Sequence, residues 1–344
     1  MLRARYWGAA LLGASTPAIA AADVPDVAVD IPPVHSLVDR VMGDLGSPKL
    51  VIQPGASPHG YSMRPSEAEA LENADVVFWV GEELAPWLKG SMESLATDAE
   101  SVALLDVPDT RTLAFRQGAT FAAHDHDHSH ENGHDHDHDH DHDHDHDHDH
   151  DHDHAHGHDH GGGHHHGHSH EGIDPHAWLD PANAQVWLGA IVHSLAEADP
   201  EHAETYRENA RQGKAELDEL INDLEERLSG AQDTRFIVFH DAYQYFEQRF
   251  DLTAAGAISL GDASDPSPAR IDELRHKVSE LGVDCVFSEP QFNPRLVDNV
   301  FGPTGVDTSI VIDPLGAGLA LGETLYPTLL RQLSDGVSRC AAGA

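Results

Sequence analysis

The chain of 344 residues alternates short apolar runs with segments of helical spacing, and this alternation most constrains its fold. The alternation occupies the first hundred residues and resumes after Gly230. Strands that alternate with helices indicate parallel sheets built from βα units. The pattern therefore predicts an α/β fold with two lobes, each containing a parallel sheet flanked by helices.

A long amphipathic segment separates the two alternating regions. Between Glu201 and Leu228, apolar residues recur every three or four positions and charged residues fill the gaps. This spacing predicts one helix, which at ~1.5 Å per residue spans roughly 40 Å. We expect it to join the lobes, with the first lobe at 23–199, the linking helix at 200–229 and the second lobe at 230–344.

The individual elements are predicted from apolar runs, caps and breakers. The predicted strands are Val27–Ile31, Leu50–Gln53, Val76–Val80, Val102–Leu105, Phe236–Phe239, Val283–Phe287 and Ser309–Ile312. The predicted helices are Val34–Gly43, a short helix capped by Ser66, Pro181–Ala198, Ala242–Phe250, Pro268–Leu281, Pro294–Phe301 and Glu323–Val337.

The N-terminus has the features of a secretory signal. Arg3 and Arg5 precede the apolar run Trp7–Ser15, which is shorter than the ~20 residues of a membrane span. Small residues follow at Ala18–Ala22 and predict cleavage near Asp23. We therefore interpret residues 1–22 as a signal peptide and expect a soluble protein exported to a periplasm.

The chain is strongly acidic, with a formal net charge of −40. Removing the thirteen Asp and one Glu of segment 124–170 still leaves −26. Such a surface repels nucleic acid and anionic membranes and attracts cations. We expect neither nucleic acid nor the bilayer to be a direct partner.

The segment His124–His170 holds 23 of the 30 histidines, largely in the repeat GHDHDHDH. Its period of two would suit a strand, but neither face is apolar, so we predict that this segment, inserted in the first lobe, is disordered when no metal is bound. Imidazole and carboxylate together predict auxiliary metal binding, and the alternative is a dispensable solvated loop. The predicted auxiliary ligands are His124, His126, His128, His130, His134, His136, His138, His140, His164 and His166.

Three histidines outside this segment lie in loops that follow predicted strands or lie near them: His59, His176 and His240. Asp313 ends another predicted strand. Open α/β sheets place their ligand sites at such loops, and three imidazoles with one carboxylate form a typical tetrahedral zinc set. We predict a metal site between the lobes, although any one of these residues alone would more simply be an ordinary core or surface residue.

The histidines inside helical segments are expected to have no metal role: His35, His193, His202 and His276.

Five stretches in order resemble a known family: GASPHGYSMRPSEAEALENADVVFWVG, DPHAWLDP, FHDAYQYFEQRFDL, VFSEPQFNP and IDPLGAG. They are similar to the zinc-specific periplasmic substrate-binding proteins of ABC transporters, the ZnuA-type proteins of the metal-binding cluster A-I family. The resemblance runs from Val27 to Cys340 outside the insertion. It implies two α/β lobes bridged by one rigid helix, with the metal between them and a membrane permease as partner.

Residue by residue, His59, His176 and His240 match the three metal-binding histidines of that family. Asp313 matches a carboxylate that is the fourth ligand in many relatives, a place that water or another acid also fills. Some members carry Glu immediately before the first histidine, where this chain has Pro58. Manganese-binding relatives carry Glu at the position of His240, and the softer imidazole favours zinc.

Cys285 and Cys340 are the two cysteines of the chain. In an oxidising compartment two cysteines suggest one disulfide, and the alternative is two buried thiols. The resemblance implies the disulfide.

Together these features predict a high-affinity zinc-binding component of an ABC importer. It would be a monomer that captures Zn2+ between its lobes and delivers it to a permease, with the His-rich loop as an auxiliary collector. One alternative is a free-standing zinc buffer or metallochaperone. A zinc hydrolase is a weaker alternative, since Asp313 is expected to close the fourth position that a catalytic zinc keeps open, and the chain is not expected to be an enzyme.

Overall fold

The computed structural model describes residues 24–116, 121, 172–259 and 267–343. The predicted signal peptide and the His-rich insertion, with all of its predicted auxiliary ligands, lie outside these residues. Among the described residues, no helix combines the length and apolarity needed to cross a membrane.

The first lobe is built on a parallel sheet. Its strands β1 (Val27–Val29), β2 (Lys49–Leu50), β3 (Val76–Trp79) and β4 (Glu100–Ala103) are arranged in the order β2-β1-β3-β4. The helices α1 (Pro32–Met42), α2 (Pro65–Glu72), α3 (Pro86–Leu95) and α4 (Pro181–Ala198) belong to the same lobe. Every residue of the central strands β1 and β3 is buried, as expected for a parallel sheet covered on both faces.

The helix α5 (Ala203–Leu228) follows, and at 26 residues it is the long helix that the sequence predicted. Its apolar face is buried against α4 and α1. It also packs against the C-terminal helix, so it contacts elements from both ends of the chain.

The second lobe contains the strands β5 (Phe236–His240), β6 (Ala254–Ser259) and β7 (Cys285–Val286), parallel and in the order β6-β5-β7. Its helices are α6 (Gln244–Arg249), α7 (Pro268–Leu281), α8 (Pro294–Phe301) and α9 (Leu325–Gly343). Two parallel sheets flanked by helices and joined by α5 confirm the predicted fold class. The residue boundaries assigned to the lobes stay a prediction.

A disulfide joins Cys285 of β7 to Cys340 of α9, with a Cα–Cα distance of 6.0 Å. The predicted pairing is therefore confirmed. It fixes the last helix to the second sheet.

Some predicted elements were wrong. Ser309–Ile312 is no strand, and only an isolated parallel bridge pairs Val311 with Ser288. The residue at the N-cap of α2 is Arg64 rather than Ser66, since Pro65 begins the helix. The strand β6, whose sequence AAGAIS has Ile258 as its one bulky residue, was not predicted.

Candidate metal centre

His240 is the last residue of the buried strand β5, and a buried carboxylate fixes its ring. Glu289, which follows β7 in the same sheet, places Oε1 at 2.8 Å from Nδ1 of His240 and accepts the His240 backbone N–H at 3.3 Å. An ionised carboxylate can only accept, so Nδ1 donates the hydrogen bond. In this tautomer Nε2 is the nitrogen that can bind a metal.

His176 repeats this arrangement in the other lobe. Oδ1 of Asp174 lies 2.7 Å from Nδ1 of His176 and accepts the His176 backbone N–H at 3.0 Å. Both side chains are buried, and the hydroxyl of Tyr245 donates to the Asp174 carbonyl at 2.7 Å. The ring of His176 is thus held by a carboxylate two residues away in the sequence, and the ring of His240 by a carboxylate that follows a neighbouring strand.

His59 is positioned differently, in the 3₁₀ turn Pro58–Gly60. The indole Nε1 of Trp87 donates to the carbonyl oxygen of Pro58 at 2.8 Å. The Tyr61 hydroxyl donates to Oε1 of the buried Glu67 at 2.9 Å. The turn that carries His59 is therefore held by hydrogen bonds of the flanking residues Pro58 and Tyr61.

The three rings lie together at the junction of the lobes. The ring centroids of His59 and His176 are 5.7 Å apart, and those of His176 and His240 are 5.3 Å apart. With Zn–N bonds of ~2.1 Å and tetrahedral angles, imidazole centroids around one ion would be about 5.2 Å apart. The centroid spacing fits shared ligation of one ion.

Centroid spacing does not fix where the nitrogens point. Within 24–116, 172–259 and 267–343, no three His, Cys, Asp or Glu side chains stand as a preformed metal cluster. The ring nitrogens therefore do not converge on one point in this structure, although the fold brings the three chain segments that carry them within reach of one ion.

One cavity joins the three rings to an apolar wall. The centroid of Trp178 is 5.2 Å from that of His176, and the centroid of Phe292 is 5.5 Å from that of His240. Apolar walls exclude water and strengthen electrostatic contacts with a cation. The cavity is lined by Ser57, Pro58, His59, His176, Trp178, His240, Glu289, Gln291, Phe292, Pro314 and Leu315.

Asp313 does not line this cavity, although the next two residues do. Its Oδ1 accepts hydrogen bonds from Nε2 of Gln291 at 3.0 Å and from the backbone N–H of Leu315 at 2.9 Å. Its Oδ2 accepts from the backbone N–H of Ala317 at 2.5 Å. The structure thus brings the three predicted histidines together and leaves Asp313 behind the cavity wall, where its role as fourth ligand stays a prediction.

The Tyr243 hydroxyl is buried close to the same group of side chains. Burial raises its pKa well above the ordinary value, and the nearby negative charges of Glu289 and Asp313 raise it further. A neutral phenol therefore lies beside these two carboxylates.

Polar contacts across the lobes hold the cleft walls in place. Arg249 on α6 contacts both oxygens of the buried Asp180 at 2.7 and 2.9 Å. The indole of Trp178 donates to the Pro314 carbonyl at 2.8 Å. Arg116, which precedes the insertion, contacts Glu247 at 2.7 Å and also Asp241, the neighbour of His240.

The residues that orient the histidines were not predicted from the sequence. Glu289 lies two residues after the predicted strand Val283–Phe287, so the rule that located His240 at a strand end could also have located it. Glu289 and Gln291 also lie within the stretch VFSEPQFNP that carries the family resemblance. Asp174 is separated from His176 only by Pro175, and this spacing was the available signal. No sequence signal pointed to Trp87.

The family model for the zinc-uptake complex component A, periplasmic, matches residues 27–340. The chain belongs to the ZnuA family. It is 47% identical over 314 residues to a high-affinity zinc uptake system protein of Brucella abortus, covering 91% of each chain. It is 46% identical over 332 residues to the corresponding protein of Paracoccus denitrificans, covering 96% of each.

Solved structures show the same fold. The periplasmic zinc-binding protein TroA from Treponema pallidum superposes with a TM-score of 0.67 at 17% identity, covering 92% of this chain and 99% of that one. The resemblance inferred from the sequence motifs is confirmed for the family and the fold.

Proposed function

We propose that this ZnuA-family chain captures Zn2+ in the cavity between its lobes and delivers it to the membrane permease of an ABC importer. The observation that carries the proposal is the group of three imidazole rings at 5.3 and 5.7 Å spacing, contributed by both lobes. Imidazole suits zinc better than it suits hard cations such as manganese or magnesium. The Brucella and Paracoccus relatives are both zinc uptake proteins by name.

In this proposal His59, His176 and His240 bind the ion through imidazole nitrogen. Buried carboxylates orient two of these rings and increase their basicity, as second-shell groups do at metal sites. The ion is cargo and no catalytic role is proposed. The signal at 1–22 would place the mature monomer in the periplasm.

Zinc titration of the full chain and of His240→Ala tests the binding site. We expect the tightest class of zinc site in the wild type to be absent in the variant. His193→Ala is the matched control, because the His193 side chain is 74% exposed on α4. Equal retention of the tightest site in His240→Ala and in the control would contradict the proposed site.

The His-rich insertion is proposed as an auxiliary zinc collector. Its low-complexity sequence predicts no preformed site, so each of its sites should carry an ordering cost on binding and be weaker than the folded cavity. Deleting residues 123–170 should lower the zinc stoichiometry and keep the tightest site. Loss of that site on deletion would show that the insertion itself carries the main binding function.

Delivery is tested in zinc-starved cells that lack their own binding component but retain the permease. We expect the full chain to restore zinc accumulation and His240→Ala to fail, although both are exported. A free-standing buffer would bind zinc without restoring uptake, and that outcome would favour the metallochaperone alternative.

A further inference from the structure

Among the residues that the structure describes, two buried oxygen atoms of cavity-lining residues lack a hydrogen-bond partner: Oε2 of Glu289 and Oε1 of Gln291. The other oxygen of Glu289 is taken by His240, and the buried Tyr243 hydroxyl beside Glu289 can supply a donor to Oε2. Unsatisfied buried acceptors are costly, so Oε1 of Gln291 indicates a further hydrogen-bond donor that completes the site.

The other end of the Gln291 amide holds Asp313. Its Nε2 donates to Oδ1 of Asp313 at 3.0 Å, while backbone N–H groups of Leu315 and Ala317 hold the same carboxylate. Gln291 lines the cavity and Asp313 does not. The amide therefore lies between the carboxylate and the cavity.

We propose that Gln291 is a specificity-determining residue of the metal site, and this rests on the proposed zinc function. Its amide nitrogen keeps Asp313 out of the coordination sphere. Its amide oxygen accepts a hydrogen bond from a water molecule that is the fourth ligand of zinc.

This arrangement discriminates between metals. Zinc is stable with three imidazoles and one water in a tetrahedron, whereas manganese prefers carboxylate oxygens and higher coordination numbers. By withholding Asp313, Gln291 keeps a hard anionic ligand from the ion. Selectivity against manganese thus depends on a residue that binds the carboxylate rather than the metal.

The test compares Gln291→Met, Asp313→Asn and the double variant by chelator competition with Zn2+ and Mn2+, and by the visible spectrum of bound Co2+. We expect Asp313→Asn to keep the wild-type zinc affinity within about threefold and the wild-type cobalt spectrum. Gln291→Met should raise manganese affinity by about tenfold or more and alter the cobalt spectrum, because Asp313 can then enter the site. The double variant should return manganese affinity to the wild-type level.

Gln185→Met is the matched control, because Gln185 donates to Asp218 at 2.6 Å on the exposed surface of α4 and α5. It should change neither metal affinity nor the spectrum. The proposal is overturned if Asp313→Asn lowers zinc affinity by more than about tenfold, which would make Asp313 a ligand, or if Gln291→Met leaves both manganese affinity and the cobalt spectrum unchanged. Failure of the wild type to bind zinc tightly would instead reject the proposed function.

Discussion

The two sides of the metal site are built on different principles. His240 and His176 are buried, and each ring is fixed directly by a buried carboxylate on Nδ1. His59 lies on a partly exposed 3₁₀ turn whose position depends on contacts made by Pro58 and Tyr61. On the buried side the desolvated carboxylate contacts the ring itself, whereas on the His59 side the buried carboxylate of Glu67 contacts Tyr61, two residues away from the ring.

Because of this difference, substitutions on the two sides should differ in how they change zinc affinity and the free energy of unfolding. Removing a ring of the buried pair leaves a carboxylate without that partner in the interior, whereas His59 lies on a partly exposed turn. Substituting a proposed ligand on the buried side should therefore affect folding as well as zinc binding. The same substitution on the loop side should affect zinc binding more than folding.

The largest expected effect comes from comparing His240→Ala with His59→Ala. Both variants should lose more zinc affinity than the ~10–100-fold that substitutions of ligand-orienting groups cost, because each removes a proposed ligand. In metal-free urea unfolding, His240→Ala should also lose about 2–3 kcal/mol from the unpaired Glu289 carboxylate, and His59→Ala should lose much less. Equal losses of stability in the two variants would remove the distinction between the sides.

A smaller effect is expected when the imidazoles stay and the carboxylates change. Glu289→Gln and Asp174→Asn should each lower zinc affinity by about 10–100-fold, because the rings lose a charged acceptor that fixes their tautomer. Glu197→Gln is the control, since Glu197 lies 3.8 Å from the exposed His193. Zinc titration measures all three, and a change of less than about twofold at both buried positions would contradict the orienting role.

A still smaller effect is expected on the loop side. Trp87→Phe removes the hydrogen bond to the Pro58 carbonyl and should lower zinc affinity by about fivefold, the equivalent of ~1 kcal/mol. Trp187→Phe is the matched control, because the Trp187 indole donates to Thr110 at 3.1 Å and Trp187 does not line the cavity. Zinc affinity that falls equally in both variants would assign the effect to general loosening of the first lobe.

Much of the fold could be predicted because its signals are local. The helix Pro181–Ala198 was predicted with the observed ends, since Asp180 accepts from the Ala182 backbone N–H and Pro181 occupies the first turn. Ser309–Ile312 was wrongly predicted as a strand because an apolar run does not reveal how much of a sheet edge remains to pair with it. The missed β6 pairs with β5 from Ala254 to Ser259, with one register shift after Ala254, and this tertiary pairing is not visible in its mostly small side chains.

The site was predictable to the extent that topology determines it. Strand ends converge at one edge of a sheet, so the neighbourhood of His240 followed from its position in the chain. The carboxylate that orients His240 is 49 residues away, and its distance and direction depend on how two strands pack. The contact of Gln291 with Asp313 is of the same kind, because it links two loops through side-chain geometry that no spacing rule describes.

The smallest expected effect on zinc binding concerns Asp30, another buried carboxylate. Asp30 directly follows β1, and its oxygens accept the backbone N–H groups of Ile31 and Val80, each at 2.7 Å. Burial raises its pKa from 3.8 to about 7, against the lowering effect of these hydrogen bonds. Because it holds main chain rather than an imidazole, Asp30→Asn should leave zinc affinity at pH 7.5 within about twofold of the wild type.

The effect of Asp30 should instead appear in stability as a function of pH. A folded pKa above the unfolded value means that this group stabilises the fold below about pH 4, and that this contribution is lost as the pH rises through about 7. In metal-free urea unfolding, the wild type should therefore lose more stability between pH 4.5 and 8 than Asp30→Asn, which cannot ionise. Parallel pH profiles for the two proteins would contradict the raised pKa. A lower zinc affinity in Asp30→Asn would show instead that the main chain after β1 and the metal site are coupled.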